Sequence, residues 1–217
     1  QMAISHITGS SLWAVVPVKP LAEAKSRLSP VLSQSERAAL VLAMMQRTLR
    51  VLVRVDALFG VLVVSDDARV RSTAEKVGGV HYLREAGSGG LNAALSQASC
   101  HARALGATGL LIVPGDLPRL CPSSIRSMLD RSAPPEVAIA PDRTGEGTNA
   151  LLVAPPGWIP FSCGSRSFQA HVAKARSRGV EPRIIRDYRL AADLDRPEDL
   201  ALAEGLIPLH KEEIRGT

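Results

Sequence analysis

Two acidic segments and one basic loop hold the residues best suited to chemistry. In "LLIVPGDLPRL", Leu110 to Leu120, an apolar run stops at Pro-Gly and is followed by Asp116. Gly115 permits a sharp turn and Pro118 bars an immediate helix, so the carboxylate is held where a buried strand ends. A carboxylate so fixed suits Mg²⁺, which takes one or two carboxylates together with substrate phosphates. The alternative is an aspartate that caps its own turn. In "AADLDRPEDL", Asp193 and Asp195 offer the partner carboxylate. Asp195 equally suits the N-cap of the helix that follows, with Glu198 completing a capping box. The loop "PVKPLAEAKSRLSP" carries Lys19, Lys25 and Arg27. It has neither the Gly-x-x-x-x-Gly-Lys of a Walker loop nor the glycines of a dinucleotide fingerprint. Its cations suit a polyphosphate, lysine as a point charge and arginine as a fork. They equally suit a plain solvated loop.

Two further segments suit anions. "PDRTGEGTNALLV", Pro141 to Val153, is a Gly-rich turn entering a strand, where Thr148 and nearby amides could hold a phosphate. From spacing alone a plain hairpin loop is the better reading. "FSCGSRSFQAH" opens a helix with Gly164, Ser165, Arg166 and Ser167, a set of amides, hydroxyls and a guanidinium at a helix N-terminus. An ordinary serine N-cap reads the same way. His171 lies one turn into that helix, either facing the site or half-buried as helical histidines commonly are. Cys163 has no evident base beside it, and the five histidines show no metal spacing. Met44 and Met45 read as core.

The elements that must position these groups alternate between strand and helix. Strands are expected at Leu12–Val18, Phe59–Ser65, "VHYL", "GLLIVPG", "EVAIAPD", "NALLVAP" and "PRIIRD". Helices are expected at "SQSERAALVLAMMQRTLRVLVRV", "DARVRSTAEKV", "LNAALSQASCHARAL", "CPSSIRSMLDRS", "SRSFQAHVAKARSRG" and "RPEDLALAEGL". Ser33 and Glu36 have capping-box spacing at the start of the first helix, and Gly179 closes the fifth. This alternation, with near-continuous apolar strands, means an α/β fold with a mostly parallel sheet. Ligands in such sheets bind beyond the carboxyl ends of the strands, where the candidate residues fall.

With 217 residues, 46% of them hydrophobic, the chain can bury a full core in one domain. No apolar run is long enough for a bilayer span, and no secretory signal is evident. Residues 1–11 and 208–217 are given no role in the fold, the first because "QMAISHITGS" reads as a vector remnant. Three dispersed cysteines, without Cys-x-x-Cys spacing, point to a reducing cytoplasm. The net charge of +5 suits an anionic partner, but aromatics at 3% leave few platforms for stacking bases. Nucleic acid is therefore not the expected partner.

The order "VPVK…AKSRL", "PGDLP", "PDRTGEGTNALL", "FSCGSRSFQAH" and "DLDRPEDL" resembles the phospholactate guanylyltransferases of deazaflavin coenzyme F-420 biosynthesis. The resemblance spans residues 12–207. It implies a three-layer sandwich of the nucleotidyltransferase, glycosyltransferase-A-like fold. GTP would be the donor and a phosphorylated three-carbon acid the acceptor: 2-phospho-L-lactate, phosphoenolpyruvate or 3-phospho-D-glycerate. It implies metal binding, by Mg²⁺ or Mn²⁺, at Asp116 and Asp195, and acceptor binding at Thr148, Gly164 and Ser167. Lys25 and Arg27, with Lys19 in the same loop, match the donor-phosphate segment, and Asn92 in "GGLNAAL" matches a position near the nucleotide. Arg166 and Arg143 are added as candidates for the acceptor carboxylate. Relatives often carry Phe where this chain has Cys163, which leaves acceptor size open. A homodimer also stays open; a membrane partner is not expected. The alternatives are a nucleotidyltransferase acting on a molybdopterin or sugar phosphate, a nucleotide-sugar glycosyltransferase, and a basic nucleotide- or RNA-binding module. "PDRTGEGTNALL" argues against the first. The position of Asp193–Asp195 after the last strand argues against the second.

Overall fold

The computed structural model describes residues 11–87, 89–130 and 134–206. The expectations for 1–11 and 208–217 lie outside these residues, Ser11 apart. Strands are β1 (Leu12–Pro17), β2 (Gly60–Ser65), β3 (Val80–Arg84), β4 (Gly109–Ile112), β5 (Glu136–Pro141), β6 (Thr148–Ala154) and β7 (Arg183–Ile184). Helices are α1 (Gln34–Leu52), α2 (Ala68–Val77), α3 (Gly90–Ala104), α4 (Pro122–Leu129), α5 (Ser167–Ser177) and α6 (Tyr188–Ala191). Short 3-10 helices lie at Ser26–Leu28 and Pro197–Ala203.

The sheet order is β3-β2-β1-β4-β6-β5-β7, with β6 alone antiparallel to its neighbours. Helices cover both faces, which gives the expected three-layer α/β sandwich. Successive side chains of a strand point to opposite faces. In β1, Ala14 and Val16 join Leu40, Met44, Met45 and Leu49 of α1, while Trp13 and Val15 join Leu95 and Ala98 of α3. Burial on both sides is why the strands read as unbroken apolar runs rather than alternating ones. Among the described residues no helix is long and apolar enough to cross a membrane.

The α1 capping box forms as its spacing predicts: Ser33 Oγ accepts from Glu36 N–H, and the Glu36 carboxylate accepts from Ser33 N–H at 2.8 Å. The C-terminal part departs from expectation. "PRIIRD" supplies only two strand residues. The chain then turns through α6, unseen in the sequence because it is one turn long and rests on Asp187, whose carboxylate accepts from Arg189 N–H at 2.7 Å. "RPEDLALAEGL" forms a 3-10 helix rather than an α-helix. "GLLIVPG" leaves the sheet after Ile112, three residues before Gly115.

Candidate active site

From β1 the chain moves outward to β2 and β3. From β4 it continues on the opposite side of the sheet. A crevice therefore opens beyond the carboxyl ends of β1 and β4, the switch point where such sheets bind ligands. Because β6 runs antiparallel, its first residue, Thr148, lies at the same end as the exit of β4.

A cleft of about 990 Å³ fills this crevice, with Lys19, Lys25, Arg27, Asp116 and Asp195 in its wall. That volume is at the upper end for a small-molecule site. Lys25 adopts a left-handed backbone, φ 53°, at the start of the first 3-10 helix. Its Nζ lies 2.5 Å from Asp116 Oδ2 and 3.7 Å from Asp195 Oδ1. Arg27 pairs with the other oxygen of Asp195. The two aspartates thus meet around a single cationic group despite their distance in sequence. Burial works to lower the Lys25 pKa, but the Asp116 carboxylate and then Asp195 outweigh it and hold the ammonium above its ordinary value.

Backbone and side-chain bonds bring the second acidic segment here. Leu194 N–H donates to Asp116 O at 3.1 Å. Buried Asn149 donates its amide to Leu190 O at 2.9 Å and to Asp193 Oδ1 at 3.2 Å. Arg143 holds the segment from outside, bonding Asp199 Oδ1 at 2.8 Å and Asp193 O at 3.2 Å. Both bonds use its Nη2, and Arg143 lines neither the cleft nor the cavity beside it. Asp195 is not the helix cap: Asp199, 3% exposed, accepts from the amides of Asp195 and Arg196. The Asp195 carboxylate is thereby left to the cleft. Burial, and then the charge of Asp116, raises the Asp193 pKa, against the Asn149 hydrogen bond.

Asp116 Oδ1 is buried and has no hydrogen-bond partner among the described residues. An orphaned carboxylate oxygen beside a second carboxylate fits a hard divalent cation. Among the described residues no group of three or more His, Cys, Asp or Glu is placed to hold a metal. Two aspartates would leave the remaining positions to substrate oxygens and water, as Mg²⁺ sites usually do.

A second cavity, of about 190 Å³, adjoins the cleft and shares Pro17, Leu91 and Pro114 with it. Thr148, Cys163, Gly164 and Ser167 line it. The turn before Thr148 is built around Asp142, whose carboxylate accepts from Thr144 Oγ1 at 2.9 Å and Glu146 N–H at 3.1 Å. A Cβ at Gly147 would come within 2.5 Å of that carboxylate and would push it out of the turn. Gly164, at φ 136°, lets the opposite lip turn back before α5.

Of the sequence candidates, Asp116, Asp195, Lys19, Lys25 and Arg27 come together in the cleft, and Thr148, Gly164 and Ser167 in the small cavity. Arg166 is exposed at the start of α5 and lines neither. Asn92 also lines neither: its side chain accepts from Cys163 N–H at 2.8 Å and donates to Cys163 O at 3.2 Å, tying α3 to the cavity lip. His171 is fully buried, not half-buried, and reaches Thr148 Oγ1 at 3.0 Å. The sequence placed it four residues after Ser167, hence on the same helix face, but gave no sign of its bond to Thr148. Asn149 and Asp199 were missed as supports, since their roles depend on contacts distant in the chain.

The family model described as "Guanylyl transferase CofC like" matches residues 12–214. A phosphoenolpyruvate guanylyltransferase of Rubrobacter xylanophilus is 45% identical over 89% of this chain and 94% of its own. A 2-phospho-L-lactate guanylyltransferase of Methanothermobacter thermautotrophicus is 36% identical over 92% and 85% respectively. Among solved structures, a protein of Desulfovibrio desulfuricans G20 described as a nucleotide-diphospho-sugar transferase superposes with TM-score 0.71 at 20% identity, covering 94% of this chain and 90% of that one. This last likeness fixes the fold.

Proposed function

The chain belongs to the guanylyl transferase CofC-like family, and from that premise we propose that it transfers GMP from GTP to the phosphate of a phosphorylated three-carbon acid, in the making of deazaflavin coenzyme F-420. The acceptor is phosphoenolpyruvate, 2-phospho-L-lactate or 3-phospho-D-glycerate. An oxygen of the acceptor phosphate forms a bond to the α-phosphorus of GTP, the α–β bridging bond breaks, and pyrophosphate leaves. The product is a guanosine-diphospho acid.

The acceptor phosphate has a second pKa of about 6, so at neutral pH it is already largely ionised and needs no general base. Among the described residues the cleft wall holds no thiol or imidazole, and in the cavity beside it burial pushes the Cys163 thiol pKa up, away from the thiolate. The obstacle is repulsion between two polyanions. Each unit-charge pair at ~4 Å costs on the order of 4 kcal/mol at a surface-like dielectric. Lys19, Lys25 and Arg27 lower that cost along the donor. Asp116 and Asp195 would hold Mg²⁺ or Mn²⁺, which when bound would screen the phosphates and withdraw charge from the reacting phosphorus. Thr148, Ser167 and the backbone at Gly164 receive the acceptor in the smaller cavity, next to the donor cleft.

One observation carries the reading. The Asp116 and Asp195 carboxylates converge on the Lys25 ammonium in a nucleotide-sized cleft, and a smaller cavity without charged side chains opens beside it. The test uses purified protein, Mg²⁺ and GTP with each of the three acids in turn. We expect one guanylylated acid by mass, with pyrophosphate in equal amount. GTP left unconsumed with all three overturns the proposal.

A further inference from the structure

The small cavity has a chain of polar groups behind its wall, running from the Lys174 ammonium to a neutral ring. Lys174 Nζ donates to Ser162 Oγ, and Ser162 N–H donates to His171 Nε2 at 3.0 Å. On the other side of the ring, His171 Nδ1 lies 3.0 Å from Thr148 Oγ1. A backbone N–H can only donate, so Nε2 carries the lone pair. A neutral imidazole has one N–H, which must then be on Nδ1. A second ring proton would face the Ser162 amide with the Lys174 ammonium close by. Burial, and then Lys174, holds the His171 pKa down to about 4, so the ring is neutral at physiological pH.

This fixes the direction of the bond to Thr148: Nδ1–H donates and Oγ1 accepts. The Thr148 hydroxyl proton cannot point back along that line. It is given to no group among the described residues, although Thr148 lines the cavity. Ser167, one helical turn before His171, lines the same cavity.

We propose that His171 is a positioning residue for the acceptor: by donating Nδ1–H to Thr148 Oγ1 it turns the Thr148 hydroxyl proton into the small cavity, toward an oxyanion of the bound acid. This rests on the reading above, in which that cavity takes the acceptor. His171 touches neither substrate. It acts through Thr148 and selects for an acceptor oxygen that bears negative charge and has no proton of its own.

Two amide substitutions separate the ring nitrogens. In His171→Asn the side-chain N–H reaches the place of Nδ1 and can still donate to Thr148. In His171→Gln the side-chain oxygen reaches the place of Nε2 and can take the Ser162 amide, but no donor faces Thr148. With both substrates varied separately, H171Q should raise the acceptor KM about tenfold, the loss of one oriented bond to an anion. H171N should stay within about twofold of wild type, and the KM for GTP should not move in either. Adding H171Q to Thr148→Val should cost nothing beyond Thr148→Val alone. Equal effects of the two amides, an equal rise in the GTP KM, or a multiplicative double variant overturns the proposal. An imidazole nitrogen NMR spectrum judges it without turnover: a proton on Nδ1 is expected, and one on Nε2 refutes it. A wild-type enzyme that guanylylates none of the acids sinks the functional reading instead, while the spectrum still decides the tautomer.

Discussion

The two cavities meet at Pro17, Leu91 and Pro114 yet are built from different physics. The larger has Lys25, Arg27, Asp116 and Asp195 within one cluster of ion pairs. The smaller is lined by hydroxyls, backbone and apolar side chains, with a buried neutral histidine behind its wall. A charge cluster tolerates loose geometry, because Coulomb attraction falls slowly with distance. A hydrogen bond does not, because it weakens steeply off its line. The larger region can thus gather a flexible, highly charged chain of phosphates, while the smaller must recognise one compact group by direction.

The comparison is most directly broken by removing charge from one side only. Asp116→Asn keeps the size of the side chain and the backbone carbonyl that receives Leu194 N–H. Lys25 keeps Asp195 at 3.7 Å, so its ammonium is not left unpaired. We expect turnover to fall by about a hundredfold or more, as when a reacting group is held out of place, with the melting temperature little changed. Steady-state rates at saturating Mg²⁺ and a thermal melt check both. Unaltered turnover would show that the charge cluster is structural and that the contrast between the cavities has no catalytic meaning.

The neutral region is broken by acid. The His171 pKa is about 4 in the folded protein, against 6.5 for a free imidazole. Between these values the unfolded chain binds a proton that the folded chain refuses. Acid therefore favours unfolding: stability from this group is fully present above about pH 6.5 and is lost as pH falls through about 4. The full swing is about 3 kcal/mol. Urea unfolding at pH 7 and near pH 4.5 should show most of that loss in wild type and much less of it in His171→Asn, which has nothing to protonate. Parallel loss in both proteins would mean that other groups, not this ring, set the acid sensitivity.

Much of this was legible in the sequence, for local reasons. The β1–β4 alternation, the α1 capping box and Asp116 after an apolar run are each signalled within about ten residues. So are Gly147 and Gly164, whose neighbours in sequence impose the turn. The missing parts depend on partners far away. Asp199 rather than Glu198 closes the capping box, accepting from the amides of Asp195 and Arg196, and Arg143, on the β5–β6 turn, pins its other oxygen. Arg166, a candidate by residue type, and Asn92, a candidate by resemblance, line neither cavity, and Asn92 bonds the backbone of Cys163 instead. His171 resembled any helical histidine until Thr148, at the start of β6, supplied its partner. Residue type and spacing report which groups are near in the chain; whether a polar group is free or already used is a tertiary property.

The mildest prediction sharpens the contrast at the edge of the charged region. Asp67 caps α2, accepting from Arg69 N–H at 2.8 Å, and its other oxygen accepts from Leu21 N–H at 3.1 Å. It therefore ties the loop of Lys19, Lys25 and Arg27 to α2 without itself entering the cleft wall. Asp67→Ala removes the cap and leaves the amide of Leu21, a residue 1% exposed, without its acceptor. The cost should be about 1–2 kcal/mol in urea unfolding. A loosened basic loop should raise the KM for GTP a fewfold and leave that for the acid alone, since Thr148 and Ser167 stand on other elements. If both KM values rise together, the loop and the small cavity are mechanically coupled, and the two regions are one recognition surface rather than two.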